Sequence, residues 1–226
     1  MNDLADRIRA GLAARADAGA ASSMQAYMKS TMPFRGVPKP ARTALLRELA
    51  PLLVDPAAVA AAAGALWAGA VFREERYVAV ALARTLPPDP DRLPMFEDWI
   101  RTGAWWDLVD EIAAHLVGPL LRSHRGRAEP VVRSWIADPD RWVRRTSVIA
   151  QLGARSATDL GLLADAIEAN QDDPDFFLRK AIGWALRQCA RTEPDWVRAF
   201  VVAHPGLSPL SRREALRHLE RDDRRG

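Results

Sequence analysis

AWWDLVDEIAAH, residues 104–115, decides how the chain is read. Trp105 and Trp106 open a helical pattern, and Asp107 and Asp110 follow within the next turn. Residues four apart on a helix share a face, so Trp106 and Asp110 point the same way. An aromatic surface then sits beside an anion at a helix start, where aromatics and acids would otherwise separate into core and solvent. The plain alternative is a core tryptophan with first-turn acids that favour the positive end of the helix dipole. For Trp105 and Asp107 that alternative is the better account, with the indole packing and the acid capping.

Working outward, the pattern stays helical. Residues 4–12 and 23–28 read as short helices, ended by Pro33 and Gly36. Pro38 and Pro40 introduce another, whose apolar side holds Leu45, Leu46, Leu49 and Leu53. No stretch alternates apolar and polar residues long enough to read as a strand, so the chain is expected to be all-α. After residue 55 a repeat emerges: a helix ending in a large apolar residue, a short turn, then a helix opening with aromatic and basic residues. Its anchors are Trp67, Trp99, Trp135, Ile167 and Phe200, spaced by 32, 36, 32 and 33 residues. The second helices fall at 73–86, 105–121, 141–152, 175–190 and 211–219. Two helices at this period indicate a HEAT-like helical solenoid. The expected organisation is a single HEAT-like domain over 1–226, with capping helices at 1–54, stacked pairs at 55–222 and a short tail at 223–226.

With 49% apolar and 27% charged residues, the sequence belongs to a folded, soluble class. One cysteine, Cys189, excludes an internal disulfide and a cysteine-rich metal site, and points to a reducing compartment. There is no signal-like apolar region, and the alanine-rich stretch 57–70 is too short to span a bilayer, so a cytoplasmic protein without a membrane partner is expected. His115, His124, His204 and His218 lack ligand spacing, so no metal is expected. Neither a glycine-rich phosphate loop nor a nucleophilic triad grouping is present. Trp67, Trp99, Trp135 and Trp196 read as core between repeats, and Met24, Met28 and Met32 as packing.

Net charge is only +3, yet the bases are almost all arginine and they cluster. In order, the second helices present Arg73 and Arg76; Trp106 and Asp110; Arg144 and Arg145; Arg179, Lys180, Trp184 and Arg187; and Arg212 and Arg213. Cations at helix starts oppose the macrodipole. They make sense on a concave basic face that meets phosphate, because free N–H groups and arginine forks both bind it. Alternatively each is a solvated helix face, or pairs with an acid such as Asp140 or Asp175. Ser211 and Glu214 read as a capping box.

An acid on a DNA-binding face would repel phosphates unless it meets positive charge. Purines alkylated at N3 or N7 are cationic, and breaking their glycosidic bond leaves a sugar with oxocarbenium character. A carboxylate can stabilise that cation and position water, and indole faces add cation–π attraction of about 0.5–2 kcal/mol each. Such chemistry needs the Asp110 carboxyl free on the arginine-lined concavity; a carboxyl buried against a structural partner would undo it.

SMQAYMK (23–29), WWDLVD (105–110), WIADPDRWVRR (135–145), FFLRKAIGWALR (176–187) and LSPLSRREAL (207–216) together resemble the AlkD-type alkylpurine DNA glycosylases, a family of HEAT-like repeat enzymes. The resemblance covers residues 23–219. It implies hydrolysis of the N-glycosidic bond of 3-methyladenine or 7-methylguanine in duplex DNA, by a monomer without metal or cofactor. It implies Asp110 as the catalytic carboxylate, Trp106 and Trp184 as aromatic walls, and Arg145 holding phosphate near the lesion. Arg187 would support the backbone and Tyr27 would close the site; Arg144, Arg179, Lys180, Arg212 and Arg213 complete the DNA-binding set. Pro38 and Gly153 stand where a polar and a basic residue are expected, which weakens backbone or opposite-strand contacts rather than chemistry. Two alternatives remain: a catalytically inactive DNA-binding relative that recognises distorted or branched DNA, and a protein-binding helical scaffold.

Overall fold

Aspartate and proline set where the helices begin. Asp17, Asp55, Asp140, Asp159 and Asp175 each cap a helix by accepting a first-turn backbone N–H, and Pro56 occupies the first turn after Asp55. These are the preferred residues at those positions, because a carboxylate satisfies an orphan donor and proline lacks one. The computed structural model describes residues 3–219; the tail expected at 223–226 lies outside them. Among the described residues the fold is all-α, and no helix is long and apolar enough to cross a membrane.

The chain forms two compact units, Met1–Pro87 and Pro88–Gly226. The first contains α1 (Asp3–Ala13), α2 (Ala18–Met28), α3 (Lys39–Glu48), α4 (Pro56–Ala68) and α5 (Arg73–Ala83). Helix α1 packs on α3 and α4, and α4 on α5. Leu4, Ile8 and Leu12 of α1 and Val59, Ala62 and Leu66 of α4 are buried at the three- and four-residue spacings that make an apolar stripe. Glu74, fully buried at the start of α5, accepts the backbone N–H groups of Arg35, Gly36 and Val37 at 2.9–3.1 Å. That carboxylate pins the loop leading to α3. Gly36 has φ +82, and a Cβ there would lie 2.0 Å from the Asp17 carbonyl oxygen, so the loop requires glycine.

The second unit contains α6 (Leu93–Gly103), α7 (Trp106–Ile112), α8 (Gly118–Ser123), α9 (Arg125–Trp135), α10 (Arg141–Ile149), α11 (Leu160–Glu168), α12 (Phe176–Cys189), α13 (Pro194–Ala203) and α14 (Pro209–Leu216). The five repeat anchors are all buried, from 0% exposure at Ile167 to 7% at Phe200. Helices α7, α10, α12 and α14 pack each on the next. Side-chain bonds in this unit join residues one repeat apart: Trp135 Nε1 donates to Glu97, Arg101 to Asp138, Asn170 Nδ2 to the Ile136 carbonyl, Arg133 to Asp165 and Lys180 to Glu214, all separated by 32–38 residues. The sequence period is thus also a contact period, as stacked repeats demand.

The second helix expected to run unbroken through 105–121 is interrupted. Ala113–Val117 forms a π-helical turn, in which the Gly118 N–H bonds to the Ala113 carbonyl. Pro119 follows; it has no N–H and its ring crowds the carbonyl four residues back, so the ladder widens. Gly118 itself lies against the end of α10, where an added Cβ would meet the Ala150 carbonyl oxygen at 2.5 Å.

Candidate active site

Helix α7 begins from a strained turn. Ala104, after α6, has φ 36 and ψ 37, a left-handed conformation that costs a residue with a Cβ about 1–2 kcal/mol. Trp105 follows in extended conformation at the N-cap and supplies no side-chain cap. Its indole lies 5.8 Å from Trp142 and 5.3 Å from Phe177, which are themselves 4.9 Å apart, so three rings fasten the starts of α7, α10 and α12. Trp105 is therefore a packing residue, as its sequence context suggested. Its Nε1 is buried without a hydrogen-bond partner. Asp107 lies within the first turn rather than at the cap.

That fastening places Asp110 of α7 opposite Arg145 of α10. Arg145 Nε and Nη2 each donate to one Asp110 carboxylate oxygen at 2.8 Å, a bidentate fork. Arg145 Nη1 donates to the Phe177 carbonyl of α12. The arginine side chain is 4% exposed and the aspartate 16%. Asp110 thus has a protein partner, whereas the sequence reading asked for a free carboxyl. Arg145, expected to display its guanidinium to phosphate, engages all three nitrogens inside the protein. Burial pushes the Asp110 carboxyl above the ordinary aspartate range, the Arg145 fork pulls it back, and Asp107 and Glu111 push it up again.

Trp106 is half-buried one turn before Asp110 on the same face of α7. Trp184 is half-buried on α12, two turns beyond Phe177, and packs against the core. Lys180 and Arg187 flank it at helical spacing, and both donate to Glu214 of α14, Lys180 at 2.8 Å. Tyr27, on α2 of the first unit, is 77% exposed.

The remaining bases are engaged more than their sequence pattern indicated. Arg144 Nη2 donates to Asp173 at 2.9 Å and Nη1 to the Asp138 carbonyl at 2.6 Å. Arg179 Nε donates to the Asp173 carbonyl and Arg212 Nη2 to the His204 carbonyl; Arg213 is exposed. Arg73 is a correction: at 5% exposure, with Nε bonded to the Tyr77 hydroxyl at 3.2 Å, it belongs to the interior of its unit rather than to a binding face. Arg76 holds its guanidinium 4.8 Å over the Trp67 ring.

Sequence reading missed the device that makes this possible. Asp-Pro-Asp occurs at 89–91, 138–140 and 173–175, and each time the first aspartate accepts the N–H of the second at 2.7–3.0 Å. In the last two, the second aspartate caps α10 or α12 while the first takes an arginine from the preceding repeat, Arg101 or Arg144. The arginine beside Asp138 holds that carboxyl below its usual range. Basic helix starts are thus offset by acids in the same turns, and the repeated tripeptide was the available signal. The capping box read at Ser211 and Glu214 is also corrected: Ser208 caps α14, accepting the Ser211 N–H at 3.0 Å, and Glu214 turns to Lys180 and Arg187. Gly153 has φ +81, so the turn, not a missing contact, calls for glycine there. Cys189 is a buried thiol pushed up to about 11 by burial, too unreactive for a nucleophile.

Residues 8–219 match the family model of DNA alkylation repair enzymes. A solved structure described as a predicted DNA alkylation repair enzyme from Enterococcus faecalis superposes with a TM-score of 0.80 at 30% identity, covering 91% of this chain and 97% of that one. Among curated proteins none matches. With nearly all of its length matched by one family model, the chain belongs to the DNA alkylation repair enzyme family.

Proposed function

We propose that the protein is a monofunctional DNA N-glycosylase that releases cationic N3- or N7-alkylated purines, such as 3-methyladenine and 7-methylguanine, from duplex DNA. The observation that carries this reading is the Asp110 carboxylate, held on α7 by the Arg145 fork, with Trp106 on the same helix face.

The Arg145 partnership leaves the carboxyl neither free, as the sequence reading required, nor wholly enclosed, and the chemistry rests on what exposure remains. Burial alone favours a neutral Asp110, and only the anion can stabilise an oxocarbenium ion. Arg145 opposes that neutralisation and fixes the carboxylate orientation, while the partial exposure of Asp110 leaves a route to it. As the C1′–N bond breaks, its electron pair passes to the base and cancels the positive charge there. The sugar becomes cationic beside Asp110, water adds at C1′, and a proton is lost. Trp106 and Trp184 would attract the cationic base through their ring faces. Lys180, Arg187, Arg179, Arg212 and Arg144 would meet phosphates by exchanging protein acceptors for DNA oxygens, and the exposed Arg213 would join them.

A second reading is favoured by the same ion pair. Asp110 and Arg145 could serve only to tie α7 to α10, leaving a DNA-binding protein without catalysis. The two are separated by incubating wild-type protein with duplex carrying methylated purines and identifying released base by chromatography. Release of 7-methylguanine or 3-methyladenine, with none from undamaged duplex, is expected; binding without release would establish the second reading.

A further inference from the structure

Glu214 is an acid facing α12, which presents Arg179, Lys180 and Arg187. It lies on α14 at the crossing with α12, only 9% exposed, and receives Lys180 Nζ at 2.8 Å and an Arg187 Nη1 hydrogen bond. Lys180, Trp184 and Arg187 recur at i, i+4 and i+7, so they form one stripe on α12 with the indole in the middle. One carboxylate therefore clamps both ends of the stripe that carries Trp184. The crossing is shaped for this contact. A Cβ at Gly183, the residue before Trp184, would lie 2.6 Å from Glu214 Cβ and 2.9 Å from the Ser211 carbonyl oxygen. Glycine lets α14 approach closely enough for Glu214 to reach both bases. The Lys180 hydrogen bond holds the Glu214 carboxyl below its usual range, so the charge is present throughout neutral pH.

A buried anion is not needed for an α12–α14 contact, because well-packed apolar residues usually serve as well or better. Its presence calls for a function. We propose that Glu214 is a positioning residue that holds Lys180 and Arg187 on either side of Trp184 and competes with DNA phosphate for them. This rests on the DNA-binding reading above. The Lys180 side chain is 43% exposed and the Arg187 side chain 22%, so Lys180 is the cation a phosphate takes first. When Arg187 follows, one carboxylate charge is left to recruit a solution cation, which offsets one of the counterions released by the phosphates.

The test is Glu214→Gln, with binding to undamaged duplex measured across salt concentrations. Removing the competing charge should raise affinity at low salt and steepen the log–log salt slope by about 0.9, the contribution of one released counterion. With methylated duplex, KM should fall while kcat also falls, because the stripe is held less firmly. Glu214→Asp, which keeps the charge, should retain the wild-type slope. A purely packing residue would instead lower affinity and the urea midpoint with the slope unchanged, and that outcome overturns the proposal. Should Glu214→Gln fail to fold, Glu214→Met, which removes the charge and keeps the side-chain length, carries the test: a slope steeper by about 0.9 upholds the proposal and an unchanged one overturns it. Wild-type protein that does not bind duplex at low salt defeats the DNA-binding reading itself, a different result from binding with an unaltered slope.

Discussion

Asp110→Asn separates the catalytic from the structural meaning of the ion pair. Asparagine retains one acceptor for Arg145 but turns an amide N–H toward a guanidinium that can only donate. One charge-assisted hydrogen bond of 2.8 Å is lost, and Arg145, at 4% exposure, keeps its charge without an anion. Removing one partner from a fully buried pair costs about 3–5 kcal/mol. Because Asp110 keeps 16% exposure and Arg145 keeps its bond to the Phe177 carbonyl, a smaller cost of about 2–3 kcal/mol is expected. That lowers the urea midpoint by roughly 1 M. A loss of base release in the single variant is therefore open to the objection that the protein is merely less stable.

The double variant Asp110→Asn with Arg145→Gln answers the objection. Two neutral amides can hydrogen-bond across the same gap, and neutral replacement of both members of a buried pair is often free of stability cost. The urea midpoint should return most of the way to wild type and duplex binding should persist, while release of 7-methylguanine stays absent. Recovery of release together with stability would show that the site needs only a folded helix pair, and would refute the role given to the carboxylate.

Three further outcomes follow from particular contacts. Burial raises the Asp110 carboxyl, so activity should decline on acidification at a pH above the ordinary aspartate value of about 3.9. Arg145→Gln removes the opposing pull and should move that acid limb to higher pH in a kcat/KM profile; an unmoved limb contradicts the coupling. The sign for stability is opposite to a normal ion-paired acid: the folded state holds the Asp110 proton more tightly, so this group disfavours folding as pH rises through the window between unfolded and folded values. Gly183→Ala forces a Cβ within 2.9 Å of the Ser211 carbonyl oxygen, an overpacking of about 1–3 kcal/mol visible as a lower urea midpoint. Trp135→Phe deprives Glu97 Oε2 of its 3.0 Å donor inside the stack and should cost about 1–3 kcal/mol by the same measurement, with the base-release rate unchanged while the protein is folded.

The fold was legible because its cause is periodic. Burying a stripe on each of two helices requires large apolar residues at a fixed interval, and Trp67, Trp99, Trp135, Ile167 and Phe200 sit at that interval and in the core. The interruption of the helix after Ile112 was less legible because it depends on one proline, Pro119, acting four residues back on a carbonyl. In the site, Trp106 and Asp110 could be placed on one face because helical spacing is local. Their environment could not. Whether Arg145 meets Asp110 or solvent depends on the register between α7 and α10, which is set by Trp105, Trp142 and Phe177 from three different helices.

The same distinction explains why the arginine pattern was misleading when read one residue at a time. Arg144 and Lys180 look like free cations in sequence, yet their acids, Asp173 and Glu214, stand 29 and 34 residues away, close to one repeat. A repeat protein brings such residues together as a matter of course, so a base near a helix start should be weighed against the acids one period on before it is assigned to phosphate. Applied here, that rule turns two cations that read as free, Arg144 and Lys180, into members of held pairs. Partly exposed pairs of this kind are weak, on the order of 0–1 kcal/mol each, and a polyanion can displace their cations, whereas Arg145, with its side chain 4% exposed against 19% for Arg144 and 43% for Lys180, is expected to stay on Asp110 in contact with DNA. Persistence of that fork is what would keep an acid ionised beside a cationic sugar.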